Sequence, residues 1–461
     1  RPLAPIPLLR VRQRPARSTE RTMPPTLKTL LGRRSGADVV GLDIQPGLVA
    51  AVKASVNGAV VVERAAVRPL AADAVREGEV IDRAVLGATL RELFEHSGLG
   101  KRVRVGVANQ RTVMRTLELP PMSDRKELAA AVNFQAQDQV PMPLANAVLD
   151  FHPLGVVDTP DGPRERVVLV AAQRDMIESL LDAVRSAGLV PEGVDLSAFA
   201  LIRSLYRAGV VENRRVLYLN VDGLTNLAIA DGPVCSFTRV VGSGLEGMAG
   251  ELAERRGIPV ASARELIAEF DLDHSDDRGR ELHAPPAATE QVVAPQPPAQ
   301  ADLAHADAPA HAAEGDAPED EGDFDAGHAR VDPAEARLEA EGSYAELARL
   351  DDLEDDEPAT FTRASDEDIR AVVENGVREI AGEVRNSLDF HRSQEPAGEV
   401  AYVALSGAAL GVNGFAEALA SALDMEVRPE HLALADKSVE GTPSAHRLAV
   451  AAGLATLEAP R

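Results

Sequence analysis

The chain has 461 residues, a formal net charge of −25, 45% hydrophobic residues, 3% aromatics and no tryptophan. That length accommodates two or three domains with aliphatic cores. The negative balance speaks against a nucleic-acid binder, which needs a cationic face for phosphates.

A single cysteine, Cys235, excludes an internal disulfide and fits a reducing compartment. With no base beside it in sequence, it reads as a small buried residue rather than a nucleophile. No window holds the ~18 to 20 uninterrupted apolar residues of a membrane span, and the Arg-rich first 22 residues lack the apolar stretch of a signal peptide. The expectation is a cytoplasmic protein whose biological start is Met23, within an unstructured arm over residues 1–38.

The first ordered stretch, "VVGLDIQPGLVAAVKA" (39–54), alternates apolar residues on both sides of a turn holding Asp43 and Gly47. It reads as two strands joined by a hairpin. The turn is either plain, with Asp43 a solvated acid, or built so that its carboxylate orients a hydrated metal and its N–H groups face phosphate. Lys53, on the second strand, reads as an exposed strand lysine. "AVVVERAAVRPL" supplies a third strand, "DRAVLGATLRELFEHSG" a helix stopped by Gly98, and "RVRVGVAN" a fourth strand.

"TVMRTLELP" then gives a strand ended by Pro120 and Pro121, and "SDRKELAAAVNFQAQ" a helix capped by Ser123 or Asp124 with Glu127 set for a capping box. "NAVLDFHPL" and "RERVVLVAAQ" are strands around the turn "DTPDGP". A helix, "RDMIESLLDAVRSAG", leads back towards "LVPEGVDLSAFALIRSLYRAG".

The segment "RVLYLNVDGLTNLAIADGPVCSFTRVVGSG" repeats the opening pattern of strand, acid-and-glycine turn, strand, turn, strand, and a helix comes after it. Two copies about 180 residues apart point to an internal duplication. From about residue 273 to 365 the chain is Ala, Pro and acid, too poor in large apolar residues to fold, and is expected to be disordered. Its irregularly spaced histidines read as solvated rather than metal-binding. An amphipathic helix with Ile369, Val372, Val373, Val377, Ile380, Val384 and Leu388 on one face resumes order, followed by the strand "EVAYVALSG", a helix in "FAEALASALD" and a short docking helix in "AHRLAVAAGLATL".

These features together resemble the type IV pilus assembly protein PilM family, relatives of the cell-division protein FtsA. The likeness runs from about Leu27 to Leu457 outside the acidic insertion. It is carried by "VVGLDI", "REGEVID", "RTLELPPMSDRKEL", "QVPMPLANAVLDFHPLG", "AGLVPEGVDLSAFALIRSL", "FTRVVGSG", "EIAGEVRNSLDFHRSQ" and "VALSGAALGVNGF".

The resemblance implies an α/β, actin-like (ribonuclease H-like, duplicated) two-domain fold with an inserted strand–helix–strand–strand module. Residues 39–111 with 189–212 would form domain I, 112–188 the module for protein contacts, 213–272 with 366–458 domain II, and 273–365 the insertion. It further implies ATP and Mg²⁺ in the cleft. Asp43 would hold Mg²⁺ through water, and Gly47, Asn220, Asp222, Gly223, Thr225, Gly242, Gly244 and Gly407 would contact the nucleotide.

Several positions depart from the family pattern. Gln45 and Pro46 stand where a glycine and a serine are usual, Asn220 replaces an aspartate, Asp222 a glycine and Ala408 a glycine. These departures speak for slow or absent hydrolysis, and no catalytic base stands out. The implied function is a cytoplasmic scaffold that sits at the inner face of the membrane by holding the cytoplasmic peptide of an inner-membrane PilN-like protein, with self-association as a further expectation. The peptide groove would lie between the module and the first sheet. The alternatives are a working ATPase or phosphotransferase of the same fold, and an FtsA-like membrane tether, which wants a basic amphipathic tail.

Overall fold

The computed structural model describes residues 39–209, 214–273, 358–394, 398–435, 437 and 443–457. The N-terminal arm and most of the acidic insertion, both expected to be unstructured, lie outside the described residues. The described residues up to 273 and from 362 onward form one unit, which holds every sheet.

The first sheet begins with three antiparallel strands, β1 (Val40–Gln45), β2 (Leu48–Asn57) and β3 (Ala59–Pro69). A two-residue pair, β4 (Val75–Arg76) and β5 (Glu79–Val80), leads into α1 (Arg83–Ser97). The Asp82 carboxylate caps this helix by accepting from the Ala84 and Val85 N–H groups, and Gly98 ends it at φ +65°. β6 (Arg102–Val107) returns parallel to β1.

β7 (Val113–Leu119), α2 (Arg125–Gln139), β8 (Ala147–Thr159) and β9 (Gly162–Gln173) form a separate three-stranded sheet in the order β7-β9-β8, with α2 packed on it. Asp124 is the N-cap, accepting from the Lys126 N–H at 2.8 Å. The β8–β9 hairpin runs longer than its sequence suggests. Pairing continues past a bulge between Pro153 and Gly155 to Thr159 and Gly162, so the six-residue turn shrinks to Pro160–Asp161. Gly155 and Gly162, at φ +117° and +105°, supply the bends.

α3 (Arg174–Ser186) packs on α1, and β10 (Val190–Leu196) joins β6 in parallel before α4 (Ser197–Leu205). The second sheet repeats the first. β11 (Arg215–Val221), β12 (Thr225–Asp231) and β13 (Val234–Val241) are antiparallel. α5 (Leu245–Arg256), α6 (Val260–Glu269) and α7 (Pro358–Gln394) precede β14 (Val400–Ser406), which is parallel to β11. After α8 (Phe415–Leu423), β15 (Val427–Pro429) adds in parallel to β14, and β16 (Ala433–Leu434) crosses back to the edge of the first sheet beside β3. The chain reaches α9 (Ala449–Ala455) through a 3-10 turn, Pro443–Leu448.

The orders β10-β6-β1-β2-β3 and β15-β14-β11-β12-β13 have the same sense and the same parallel and antiparallel neighbours. The duplication read from the two turn motifs is thus a duplication of whole sheets. Every residue of α4 and α9 is buried, and the two helices cross so closely that a Cβ on Gly453 would lie 1.8 Å from the Ala200 carbonyl oxygen. The core around these helices also takes in Tyr218, Ala228, Cys235 and Ala404 of the second sheet, so one apolar layer joins the halves. The apolar stripe of α7 (Ile369, Val372, Val373, Val377, Ile380, Val384, Leu388) is buried against the second sheet.

Candidate functional site

Both hairpin turns project to one place. A Cβ on Gly223, in the β11–β12 turn, would lie 2.4 Å from the carbonyl oxygen of Pro46 in the β1–β2 turn. Gly47, at φ +80°, faces the Glu246 carboxylate, which is held in a bidentate pair by Arg264 at 2.5 and 2.7 Å. Gly244 caps α5 directly over the second turn. Its Cβ would meet the Gly223 and Asp222 carbonyl oxygens at 2.6 and 2.8 Å, and the next N–H, of Leu245, donates to the Asp222 carbonyl at 2.8 Å. Gly407, at φ +97°, backs against Val221, where a Cβ would lie 2.4 Å from the carbonyl oxygen. Backbone crowding requires glycine at 223, 244 and 407, and the positive φ favours it at 47.

Asp43 is not the solvated turn acid expected of a hairpin. It is buried at the end of β1, with both carboxylate oxygens 3.3 Å from the Gln45 amide. Burial, helped by the charge of Asp222, pushes its carboxyl up to about 7; the hydrogen bonds from Gln45 and the Ile44 backbone pull the other way. Asp222 is buried too. Desolvation pushes its carboxyl upward, against the Arg447 guanidinium at 3.5 Å and the backbone N–H groups of Gly223 and Ala408. Asn220 accepts a 3.0 Å hydrogen bond from the Ser406 hydroxyl of β14. Thr225 is buried at the start of β12 with its hydroxyl unpartnered.

Pro46, Gly47, Asp222, Gly223, Leu245, Glu246, Arg264, Ala408 and Arg447 line a cavity of about 40 Å³. That is room for a water or two, whereas a drug-sized ligand needs roughly 300 Å³ or more. The buried Asp222 carboxylate is part of this lining, and Pro46 carries no N–H to offer a phosphate. The two turns come together here, but the cavity between them has no room for ATP. Among the described residues no group of three or more His, Cys, Asp or Glu side chains is arranged to hold a metal.

Gly242 lies elsewhere. It lines a groove of about 1120 Å³ between the inserted sheet and the second sheet, where a Cβ would touch the Gln110 amide at 3.5 Å. The walls of this groove are the two edge strands β7 and β13, with Arg166 and Pro141 from the module and Phe390 and His391 from the C-terminal end of α7. The reading from sequence set the groove against the first sheet; this one faces the second. Phe390, half exposed, meets Phe237 at a ring distance of 5.9 Å, and Arg239 pairs with Glu383 at 2.8 Å.

Sequence reasoning noted Gln45 only as a departure from the family turn and did not single out Ser406, Arg447 or the Glu246–Arg264 pair. No local signal marks those three, because each meets its partner across the fold. Lys53 lies on the sheet surface and pairs with Glu63 at 3.5 Å. Cys235 is buried, and burial pushes its thiol up to about 12, as befits an inert core residue. No helix of the described residues is long and apolar enough to cross a membrane.

Residues 41–213 match the family model described as "Type IV pilus assembly protein PilM". Among solved structures the chain is similar to a "PilM-PilN type IV pilus biogenesis complex", with 20% identity over 91% of this chain and 97% of that one and a TM-score of 0.59. It also matches the ethanolamine utilization protein EutJ from Carboxydothermus hydrogenoformans at 13% identity, covering 91% and 89% of the two chains at a TM-score of 0.41. MreB5 of Spiroplasma citri bound to AMPPNP matches at 10% identity, covering 90% and 94%, at 0.40. Over residues 41–213 the chain is thus similar to the PilM family, and its fold is the actin-like two-domain fold.

Proposed function

We propose that this chain is a cytoplasmic, actin-fold scaffold of a type IV pilus or related secretion machine, which captures the cytoplasmic peptide of a PilN-like inner-membrane protein. The observation that carries this reading is the groove between β7 and β13. One wall, from Asn109 to Glu118, lies inside the PilM-matching segment, and both walls are strand edges.

An edge strand offers unpaired N–H and C=O groups to an extended peptide, and the groove adds an apolar anchor at Phe237 and Phe390 beside the guanidinium groups of Arg115 and Arg239. A scaffold of this kind needs no membrane span of its own. The groove also adjoins the cleft. Gly242 and Ser243 form its wall, and the next two residues, Gly244 and Leu245, sit on the Asp222 turn. ATP and Mg²⁺ would belong to an opened form of that cleft, with Asp43 on the metal side.

The test is calorimetric titration of the full chain with a synthetic peptide carrying the cytoplasmic N-terminus of the PilN-like protein encoded in the same genome. Saturable one-to-one binding is expected; no heat at hundreds of micromolar peptide would contradict the reading.

A further inference from the structure

The second turn carries an aspartate, Asp222, whose carboxylate is buried in the cleft. Asp222 receives the Gly223 and Ala408 backbone N–H groups and faces the Arg447 guanidinium at 3.5 Å. In a turn that binds phosphate, those N–H groups and that guanidinium are the partners an anion would take. Here the chain supplies the anion itself. The same 3-10 turn that carries Arg447 is fastened again at its neighbour, because the Gly407 N–H donates to the His446 carbonyl at 3.2 Å.

We infer that Asp222 is the residue that decides what this cleft accepts: its carboxylate stands in for a phosphate, holds Arg447, and excludes a nucleotide until it is displaced. The inference rests on the reading of this cleft as a nucleotide seat. Three observations carry it: the buried position of Asp222, its ion pair with Arg447, and the 40 Å³ left between the turns. A free nucleotide must therefore break an internal ion pair and push one anion past another before its own phosphates find partners.

The test compares the full chain with Asp222→Asn and Asp222→Gly in two arms. Asn keeps the shape and removes the charge; Gly restores the bare turn and guards against a misfolded Asn variant. In the first arm, ATP titrated with Mg²⁺ and again in EDTA should bind at least tenfold more tightly to either variant than to the unsubstituted chain. The gain should be larger in EDTA, where no cation masks the carboxylate. Equal or weaker binding by both variants overturns the inference.

The second arm needs no nucleotide. Amide exchange at residues 406–411 and 443–448 should quicken at least severalfold in Asp222→Asn, because Arg447 loses its anion, and unchanged exchange overturns the pair as a fastening. If none of the three proteins binds ATP at millimolar concentration, Asp222 is not what keeps nucleotide out and the inference falls. Quickened exchange in that case shows that the fastening exists and that the nucleotide reading is what failed.

Discussion

The Cα of Gly223 faces the carbonyl oxygen of Pro46 across the junction of the two halves, so near that a Cβ at residue 223 would lie 2.4 Å from it. The contact is between backbones, with no flexible side chain to yield. Gly223→Ala should therefore wedge the two turns apart at a cost of about 1 to 3 kcal/mol, the usual size of overpacking. Urea unfolding checks the cost. A stability within experimental error of the unsubstituted chain would mean that the turns separate freely.

Asp43 makes a prediction with a definite sign. Its folded-state carboxyl titrates near 7 because of burial and the Asp222 charge, against an ordinary value of 3.8 once unfolded. Between those values the folded chain binds the extra proton, so the charge costs nothing below about pH 4 and its full penalty is present above pH 7. Asp43→Asn removes that penalty. The variant should melt several degrees higher at pH 8 in EDTA, with the advantage shrinking steadily towards pH 4. The penalty is on the order of a few kcal/mol at most, since Gln45 and Asp222 respond to the change. Melting curves across that range decide it, and a gain that does not vary with pH would point to packing instead of charge.

Arg203 is fully buried on α4. It donates through Nε to the Gly453 carbonyl of α9 at 3.1 Å and pairs with the buried Asp195 of β10. One guanidinium thus ties together the two helices between the sheets and a strand of the first sheet. Arg203→Ala leaves the Asp195 carboxylate buried and unpaired and should cost about 3 to 5 kcal/mol. Replacing both residues together, Arg203→Met with Asp195→Leu, should recover a large part of that loss. A double variant as unstable as the single one would show that the geometry of the ion pair, rather than the stranded charge, matters.

The local elements were largely legible in the sequence. The α7 stripe, the Asp82 and Asp124 caps, the Gly98 stop and the two turn motifs depend on residues within a few positions of one another. What the sequence did not show depends on distance along the chain. Arg447 meets Asp222 only because the chain crosses back through β16 to the first sheet and then delivers the 3-10 turn to the cleft. The sequence leaves Asp43 open between a solvated turn acid and a metal-side carboxylate; that it is buried, with Gly106 of β6 against its carboxylate, depends on strands far apart in the chain. The groove forms between β7 and β13, strands of different sheets, so no local pattern marks it. α6 was passed over although Ala263 and Ile267, four apart, form its buried side.

The groove makes its own prediction. Phe390→Asp places a charge on the exposed aromatic wall, and Arg115→Glu reverses a charge on β7. Each should weaken the PilN-like peptide at least tenfold, about 1.4 kcal/mol, without lowering the melting temperature, because both side chains are exposed. Fluorescence anisotropy of the labelled peptide measures this. Undiminished binding to both variants would move the peptide away from this face.

Amide exchange of the full chain, with and without saturating PilN-like peptide, reads the occupancy of the groove itself. A peptide lying between the two strand edges must pair with or cover β7 or β13, so exchange should slow at residues 113–119, 234–241 or both, and little elsewhere outside the groove. Protection confined to other segments, with both strands exchanging as in the free protein, would contradict the groove and the scaffold function built on it.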